Sequence, residues 1–336
     1  MELKNFDLKK RVFIIAEIGN NHEGSIKIAK KLIRLAAKAG ADAVKFQTYK
    51  TENFIRKEDK KRFKQLKKFE LTYQQFKILK KFAYLNKIRF ISTPLDIESA
   101  NFLIKNTDII KIASGDNNFF PLIENILNSK KSVIISTGMT NFIQIKKILR
   151  IIYKIIGKKN AKKRIGVLHC VTNYPVENSF ANLKSIKFLK DKLDLTIGYS
   201  DHTIGPEASI AAVGLGARII EKHFTIDKKF SKFRDHALSA DYLDLKNMIT
   251  SIRKIEEQLG NYNKEIQKSE KKMIKLVRRS GYLKKDMAKN EKLKIKDINF
   301  FRPDLTENFL HLNKIIGKKL RRKLRSNQLI KLKDLY

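Results

Sequence analysis

The chain has 336 residues, enough to bury a full core as one large domain or as a large domain with a small appendage, which excludes a stapled mini-protein. Lysine and arginine number 73 against 34 aspartates and glutamates, a formal net charge of +39 that favours anionic ligands or surfaces but says nothing about fold. With 42% apolar residues, 14 glycines and 5 prolines the chain is no disordered polycation, and no apolar run approaches the roughly 18 residues that span a bilayer. The one cysteine, Cys170, cannot form an internal disulfide, and residues 1–11 are polar and charged with only a short apolar stretch behind them. A reducing, cytoplasmic compartment and no membrane partner are therefore expected.

From Val12 to about Gly260, short β-branched runs alternate with segments of helical spacing, the pattern of repeated βα units. In chain order the runs are VFIIAE ending at Glu17, ADAVKFQ at Gln47, IRFIST at Thr93, DIIKIAS at Ser114, SVIIST at Thr137, RIGVLHC at Cys170, LDLTIGYS at Ser200 and ARIIEKHF at Phe224. Between them the spacing predicts helices over residues 25–39, 73–86, 96–105, 142–156, 183–192 and 206–215. Eight such units in about 250 residues match a closed (β/α)8 barrel better than an open doubly wound sheet. An open sheet would carry a glycine-rich fingerprint after its first strand, and GNNHEG at 19–24 is not G-x-G-x-x-G. A polar, lysine-rich stretch at 261–275 then marks a boundary. This places the barrel domain at 1–262, a linker at 263–277 and a small domain at 278–336, with strand-like runs at 281–283, 298–301 and 328–332.

Chemistry in such barrels sits at the C-terminal ends of the strands, where the loops converge on one face. Every end here carries polar residues: Glu17; Lys45 and Gln47; Ser92 and Thr93; Lys111, Ser114 and Asp116; Ser136 and Thr137; His169, Thr172 and Tyr174; Ser200, Asp201 and His202; Glu221, Lys222 and His223. Lys45 and Lys111 lie inside apolar strands, where an ammonium is costly unless an anion meets it. A structural ion pair with a carboxylate such as Glu17 would meet that need. The surrounding hydroxyls of Thr93, Ser114, Ser136 and Ser200 favour instead a polyanionic ligand, such as one carrying phosphate and carboxylate. His202 and His223 follow the last two strands, adjacent in a closed barrel, and two imidazoles there suit a labile divalent cation; the pair alone does not choose among Mn, Mg, Co and Zn. His22, His169 and His236 are weaker candidates, and His22 with Glu23 lies just before a helix, where a structural role competes.

These motifs together resemble the N-acetylneuraminate (sialic acid) synthases and their relatives making legionaminic and pseudaminic acids. The matching stretches are IIAEIGNNHEG to Gly24, GADAVKFQT at 40–48, FISTP at 90–94, KIASGD at 111–116, STGM at 136–139, LHCVTNYP at 168–175, GYSDHT at 198–203 and IEKHFT at 220–225. The tail resembles that family's antifreeze-like (SAF, β-clip) domain through VRRSGY at 277–282, FRP at 301–303 and IIGKK at 315–319. The resemblance implies condensation of phosphoenolpyruvate with an open-chain N-acyl amino sugar, N-acetylmannosamine or a 2,4-diacetamido hexose, giving a nine-carbon 2-keto acid and phosphate. It implies that Lys45, Thr93, Lys111, Ser114, Ser136, Thr172 and Ser200 hold phosphoenolpyruvate, and that His202 and His223 carry a divalent metal, manganese before magnesium or cobalt. Glu17 would orient or deprotonate the water that adds at C2, and Gln47, Asp116, Tyr174 and Asp235 would face the sugar. Arg302 would reach the N-acyl group from the other subunit of a domain-swapped homodimer.

Departures from the family pattern surround the sugar. Asp116 stands where glutamate is usual, KFRDHALSAD at 232–241 replaces a glycine-proline-aspartate turn, FRPD at 301–304 lacks a glycine after proline, and segment 51–71 is short and basic. A nucleic-acid binder would explain the charge, and KKLRRKLR at 318–325 has the look of a phosphate-tracking patch. The lysines are instead spread over the whole chain, with no zinc module and no basic groove interleaved with aromatics, so no nucleic-acid partner is expected. An inactive barrel used as a binding module would show gaps among the strand ends, and none is seen. A seven- or eight-carbon keto sugar acid synthase on the same barrel is disfavoured by the GYSDHT and EKHFT segments.

Overall fold

A computed structural model describes residues 1–302 and 312–336. Eight parallel strands, β1 (Phe13–Gly19), β2 (Ala43–Thr48), β3 (Arg89–Pro94), β4 (Ile109–Ile112), β5 (Ser132–Ser136), β6 (Ile165–Cys170), β7 (Thr196–Asp201) and β8 (Ile219–His223), close in sequence order, with β8 pairing back onto β1. Helices cross between them, giving the (β/α)8 barrel expected from the alternation. Local sequence fixes the helix ends. Ser25 caps Ile26–Ala39 by accepting from the Ile28 N–H, and Thr72 with Gln75 and Asn141 with Gln144 form reciprocal capping boxes before Tyr73–Leu85 and Phe142–Arg164. The last of these runs past the expected end at Ile156, because the chain resumes helical geometry after a left-handed Gly157 at φ +73°. The basic segment after β2 holds two short helices, Thr51–Phe54 and Lys60–Phe69.

Side-chain alternation decides what the barrel encloses. Phe13 and Ile15, Ala43, Ile91, Ile109, Ile134, Leu168 and Ile219 point inward and form one apolar cluster with Leu3 and Leu8 of the N-terminal segment. One or two steps of two residues further along those strands, the same inward face carries Glu17, Lys45, Gln47, Thr93, Lys111, Ser136, Cys170, Glu221 and His223, and Ser200 holds the equivalent place on β7. The other face, including Ile14, Ala16, Val44, Phe46 and Ile110, packs against the helices.

The chain divides into two compact units, Met1–Gly260 and Asn261–Tyr336. The second pairs β9 (Ser280–Leu283) antiparallel with β10 (Ile298–Phe301) over a small core that includes Leu283, Leu293, Leu320 and Leu324. The strand expected at 328–332 is reduced to a bridge between Leu329 and Tyr282, because the backbone turns into a 3-10 segment at Leu332–Asp334. Helix Glu270–Val277 falls within the stretch read as linker. Pro303 and Asp304 of the FRPD motif lie outside the described residues. Among the described residues no helix is long and apolar enough to cross a membrane.

Between the ends of β7 and β8, on the helix-facing side, Asp201 and Lys222 are register partners and form a buried ion pair at 2.9 Å. The Asp201 carboxylate also accepts from Ser209 Oγ at 2.7 Å and from Thr203 N and Oγ1 at 2.8 Å, so its acceptor sites are filled. Each member of the pair immediately precedes a site histidine, and the pair therefore spaces His202 from His223. Removing one partner of a buried pair leaves an uncompensated charge, so Lys222→Met is expected to lower stability by about 3–5 kcal/mol in chemical denaturation. A loss below about 1 kcal/mol, the range of an exposed pair, would show that the latch is dispensable.

Candidate active site

Inside the mouth of the barrel four charged groups form one lattice. Lys45 Nζ lies 3.0 Å from Glu17 Oε1 and 3.6 Å from Glu221 Oε2, and donates to Thr93 Oγ1 at 3.2 Å. Lys111 Nζ lies 3.8 Å from Glu221 Oε1, donates to Ser136 Oγ at 2.6 Å, and caps the Ile112 carbonyl at 3.2 Å. Ser200 Oγ donates to Glu221 Oε1 at 2.9 Å. Glu221 is thus the counter-ion shared by both lysines, and it was not among the site residues expected from sequence. The available signal was parity: Glu221 and His223 fall on the inward face of β8, and Lys222 between them on the outward face.

Burial acts differently on the two carboxyls. It pushes Glu17 up to about 7, because the Lys45 ammonium offsets the loss of water only in part and Glu221 adds repulsion. Burial also penalises Glu221, but Lys111, Lys45 and the Ser200 hydroxyl outweigh it and hold this carboxyl below its usual range. Glu17 therefore holds or releases a proton near neutrality while Glu221 stays ionised. Its position depends on Gly19, whose backbone sits at φ +52° and where a Cβ would stand 3.2 Å from Glu17 Oε1.

Beside this lattice lies a cradle of small groups. The Gly138 N–H donates to Ser114 Oγ at 3.0 Å, and a methyl at Gly138 would stand 2.1 Å from Thr172 Oγ1 and 2.7 Å from Ser114 Oγ. Asn117 holds this loop by donating to the Ser136 and Gly138 carbonyls at 3.3 and 3.1 Å. The hydroxyl of Thr172 is buried with no hydrogen-bond partner among the described residues, as are Glu17 Oε2, Glu221 Oε2 and His223 Nδ1. Such orphans are rare unless a ligand or ordered water satisfies them.

The two histidines have ring centroids 5.3 Å apart. His202 Nδ1 donates to the Val171 carbonyl at 2.9 Å, which leaves Nε2 to face a ligand. Against the cost of burial, Cys170 and the Val171 carbonyl hold His202 above its usual range, whereas burial, then the charges of His202 and Lys45, push His223 well below it, so His223 is neutral. A divalent cation requires an imidazole nitrogen free of its proton: His223 offers one and His202 would release its Nε2 proton on binding, so these two residues fit one. Among the described residues no group of three or more His, Cys, Asp or Glu is arranged around a metal position, so water or substrate oxygen would complete the shell.

Tyr174 lies against His202 with ring centroids 4.2 Å apart and planes tilted by 33°, and stands edge-on to His223 at 5.8 Å. Gln47 accepts from Asn20 Nδ2 at 3.0 Å, Asp235 is buried, and burial raises Asp116 to about 6 against the pull of Lys111. Other strand-end residues face away from the mouth. Ser92 donates to the Phe46 carbonyl, Thr137 to that of Leu168, and His169 to that of Ala181, while Asp201 and Lys222 pair outside the barrel. His22 is buried against Phe46, accepts from the Gly24 N–H at 3.0 Å and is pushed down to about 3 by burial, and His236 bonds Thr225 and Glu23. Arg302 lies exposed after β10, in the second unit. Asn117, Gly138 and Arg234 were not foreseen.

Comparison with known proteins points to one family. The family model of the NeuB family matches residues 32–264. The chain is similar to an N,N'-diacetyllegionaminic acid synthase of Campylobacter jejuni, with 39% identity covering 96% of this chain and 99% of that protein. It is similar to a pseudaminic acid synthase of the same species at 33% identity, covering 99% of each. Among solved structures, an N-acetylneuraminic acid (sialic acid) synthetase of Leptospira borgpetersenii in complex with citrate matches with a TM-score of 0.76 and 36% identity, covering 82% of this chain and 94% of that one.

The lattice has a spectroscopic consequence. In metal-free protein a protonated carboxyl band is expected in infrared difference spectra and should vanish as pH rises through about 7, since the raised group is neutral below that value and charged above it. Glu17→Gln should abolish the component that titrates near 7 and leave that of Asp116 near 6. A wild-type protein whose near-7 component is absent, or survives in Glu17→Gln, would contradict the assignment.

Proposed function

The chain belongs to the NeuB family, and on that basis we propose that it condenses phosphoenolpyruvate with an N-acyl amino sugar aldehyde to give a nine-carbon 2-keto sugar acid and phosphate. The observation that carries the reading is the presence, at the same barrel mouth, of two buried ammoniums, Lys45 and Lys111, the cradle of Gly138, Ser114 and Thr172, and the two histidines. Both N-acetylmannosamine and a 2,4-diacetamido hexose fit as acceptors, the second corresponding to a legionaminic- or pseudaminic-type synthase.

The lysines, with Thr93, Ser136 and Ser200 around them, would meet the negative charge of the enol phosphate, and Ser114, Thr172 and the Gly138 loop would receive phosphate oxygens. Gln47, Asp116, Tyr174 and Asp235 would orient the sugar. His202 and His223 would hold a divalent cation, manganese before magnesium or cobalt, which when bound supplies Lewis-acid polarisation of the aldehyde. C3 of phosphoenolpyruvate forms the new bond to the aldehyde carbon, whose oxygen takes up a proton and becomes a hydroxyl. Water adds at C2 and gives its proton to Glu17, a carboxylate poised near neutrality for that transfer. The C2–O bond to phosphorus then breaks, the C2 hydroxyl loses its proton, and ketone and inorganic phosphate remain. We read residues 278–336 as the antifreeze-like (SAF) domain and the enzyme as a domain-swapped homodimer in which Arg302 serves the partner's sugar site.

The direct test is phosphate release from phosphoenolpyruvate with Mn²⁺ and each acceptor in parallel, with mass spectrometry of the product. Release with one sugar and a product with the summed mass of both substrates and one water, less phosphoric acid, is expected, and a folded, metal-loaded protein inert with every acceptor would contradict the reading. Gly138→Ala should raise the KM for phosphoenolpyruvate at least about tenfold while that for sugar changes less than about twofold, because the added methyl displaces the Ser114 and Thr172 hydroxyls. Equal effects on both substrates would remove the cradle from the phosphate's path.

A further inference from the structure

Arg234 has no place in the roles above, yet it stands on the rim of the site. It opens the short helix Arg234–Leu238 that follows β8. Its guanidinium carbon lies 4.8 Å over the ring of Tyr174, the ring that covers both histidines. Its Nε donates to Asp235 Oδ1 at 3.2 Å, with the arginine side chain 66% exposed and the aspartate 12%. Among the described residues its two Nη groups have no hydrogen-bond partner. The pair is also held in place from behind. The neighbouring His236 is tied to Thr225 Oγ1 at 2.6 Å and to Glu23 Oε1 at 3.2 Å, and Ser239 bonds the Asp235 carbonyl and Asn21.

The contact with Tyr174 and the Nε bond hold the guanidinium beside Asp235, so its free N–H groups form a donor edge next to a carboxylate acceptor. A donor edge beside an acceptor complements a secondary amide, whose carbonyl accepts and whose N–H donates. A phosphate ester would gain from the guanidinium but meet repulsion from Asp235, so the pair suits it less than an uncharged amide. Resting on the reading of a sugar site here, we propose that Arg234 with Asp235 recognises a second acylamido group on the acceptor, its carbonyl oxygen receiving Arg234 Nη–H and its N–H donating to Asp235. The enzyme's acceptor is then a diacylamido hexose rather than a monoacylated or phosphorylated one.

The test compares wild type, Arg234→Ala and Arg234→Gln with N-acetylmannosamine, its 6-phosphate and a 2,4-diacetamido hexose. Wild type should have its highest kcat/KM with the diacetamido sugar. Arg234→Ala should raise the KM for that sugar at least about tenfold and leave the KM values for phosphoenolpyruvate and N-acetylmannosamine within about threefold. Arg234→Gln, which keeps planar N–H donors without the charge, should recover part of the loss. A wild-type preference for either other sugar, a loss confined to the phosphate ester, or an equal rise for all sugars would overturn the inference while leaving the condensation reading intact. Absence of wild-type turnover with all three would defeat both.

Discussion

Glu221 sits between two ammonium groups in the interior of a barrel, and the site depends on that contact. Desolvating Lys45 and Lys111 is costly, and a carboxylate 3.6 and 3.8 Å from them repays the cost only while all three stay in register. Register in turn rests on the apolar cluster beneath, where Phe13, Ile15, Ile91, Ile109, Ile134, Leu168 and Ile219 fill the space between strands. A slip of one residue in any strand would exchange its inward polar group for an outward apolar one. The hydrophobic layer thus sets the electrostatics of the layer above it.

The same lattice divides the work between two carboxyls of identical type. Glu221, with two cations and a hydroxyl, stays charged and serves as counter-ion to both lysines. Glu17 shares one cation and is left near its protonation midpoint at neutral pH, which is where a group that exchanges a proton with water should be. The orphaned polar atoms of Glu17, Thr172 and His223 complete the picture of a pocket built for a ligand that supplies both charge and hydrogen bonds. Outside the barrel the Asp201 and Lys222 pair sets the backbone that presents the histidines, so their spacing does not rely on a bound cation.

Much of this was legible in the sequence because period-two alternation and strand-end chemistry are local properties. Lys45 and Lys111 stand out because they interrupt apolar strands, and Ser136, Ser200 and His223 because they fall at strand ends. Glu221 and Lys222 fall at the same strand end without a role to tell them apart, although parity alone separates the inward carboxylate from the outward ammonium. Gly138 could not be found by side-chain chemistry, since its contribution is the absence of a side chain between Ser114 and Thr172. Asn117 and Arg234 act across loops, through contacts to Gly138 and Tyr174 that no spacing rule specifies. The helix after β5 ran longer than its periodicity suggested because one glycine interrupts it without ending it, and the run at 328–332 failed as a strand because it keeps only one bridge to β9.

The account's central claim is the division of the mouth into an enol-phosphate half and a histidine half. A crystal structure of the enzyme with Mn²⁺ and phosphoenolpyruvate, with anomalous data at the manganese edge, tests it most directly. The account predicts an anomalous peak ligated by His202 and His223, phosphate oxygens against Ser114, Thr172 and the Gly138 loop, and the ammoniums of Lys45 and Lys111 on the anion. Manganese bound away from both histidines, or phosphoenolpyruvate bound without either lysine, would contradict it.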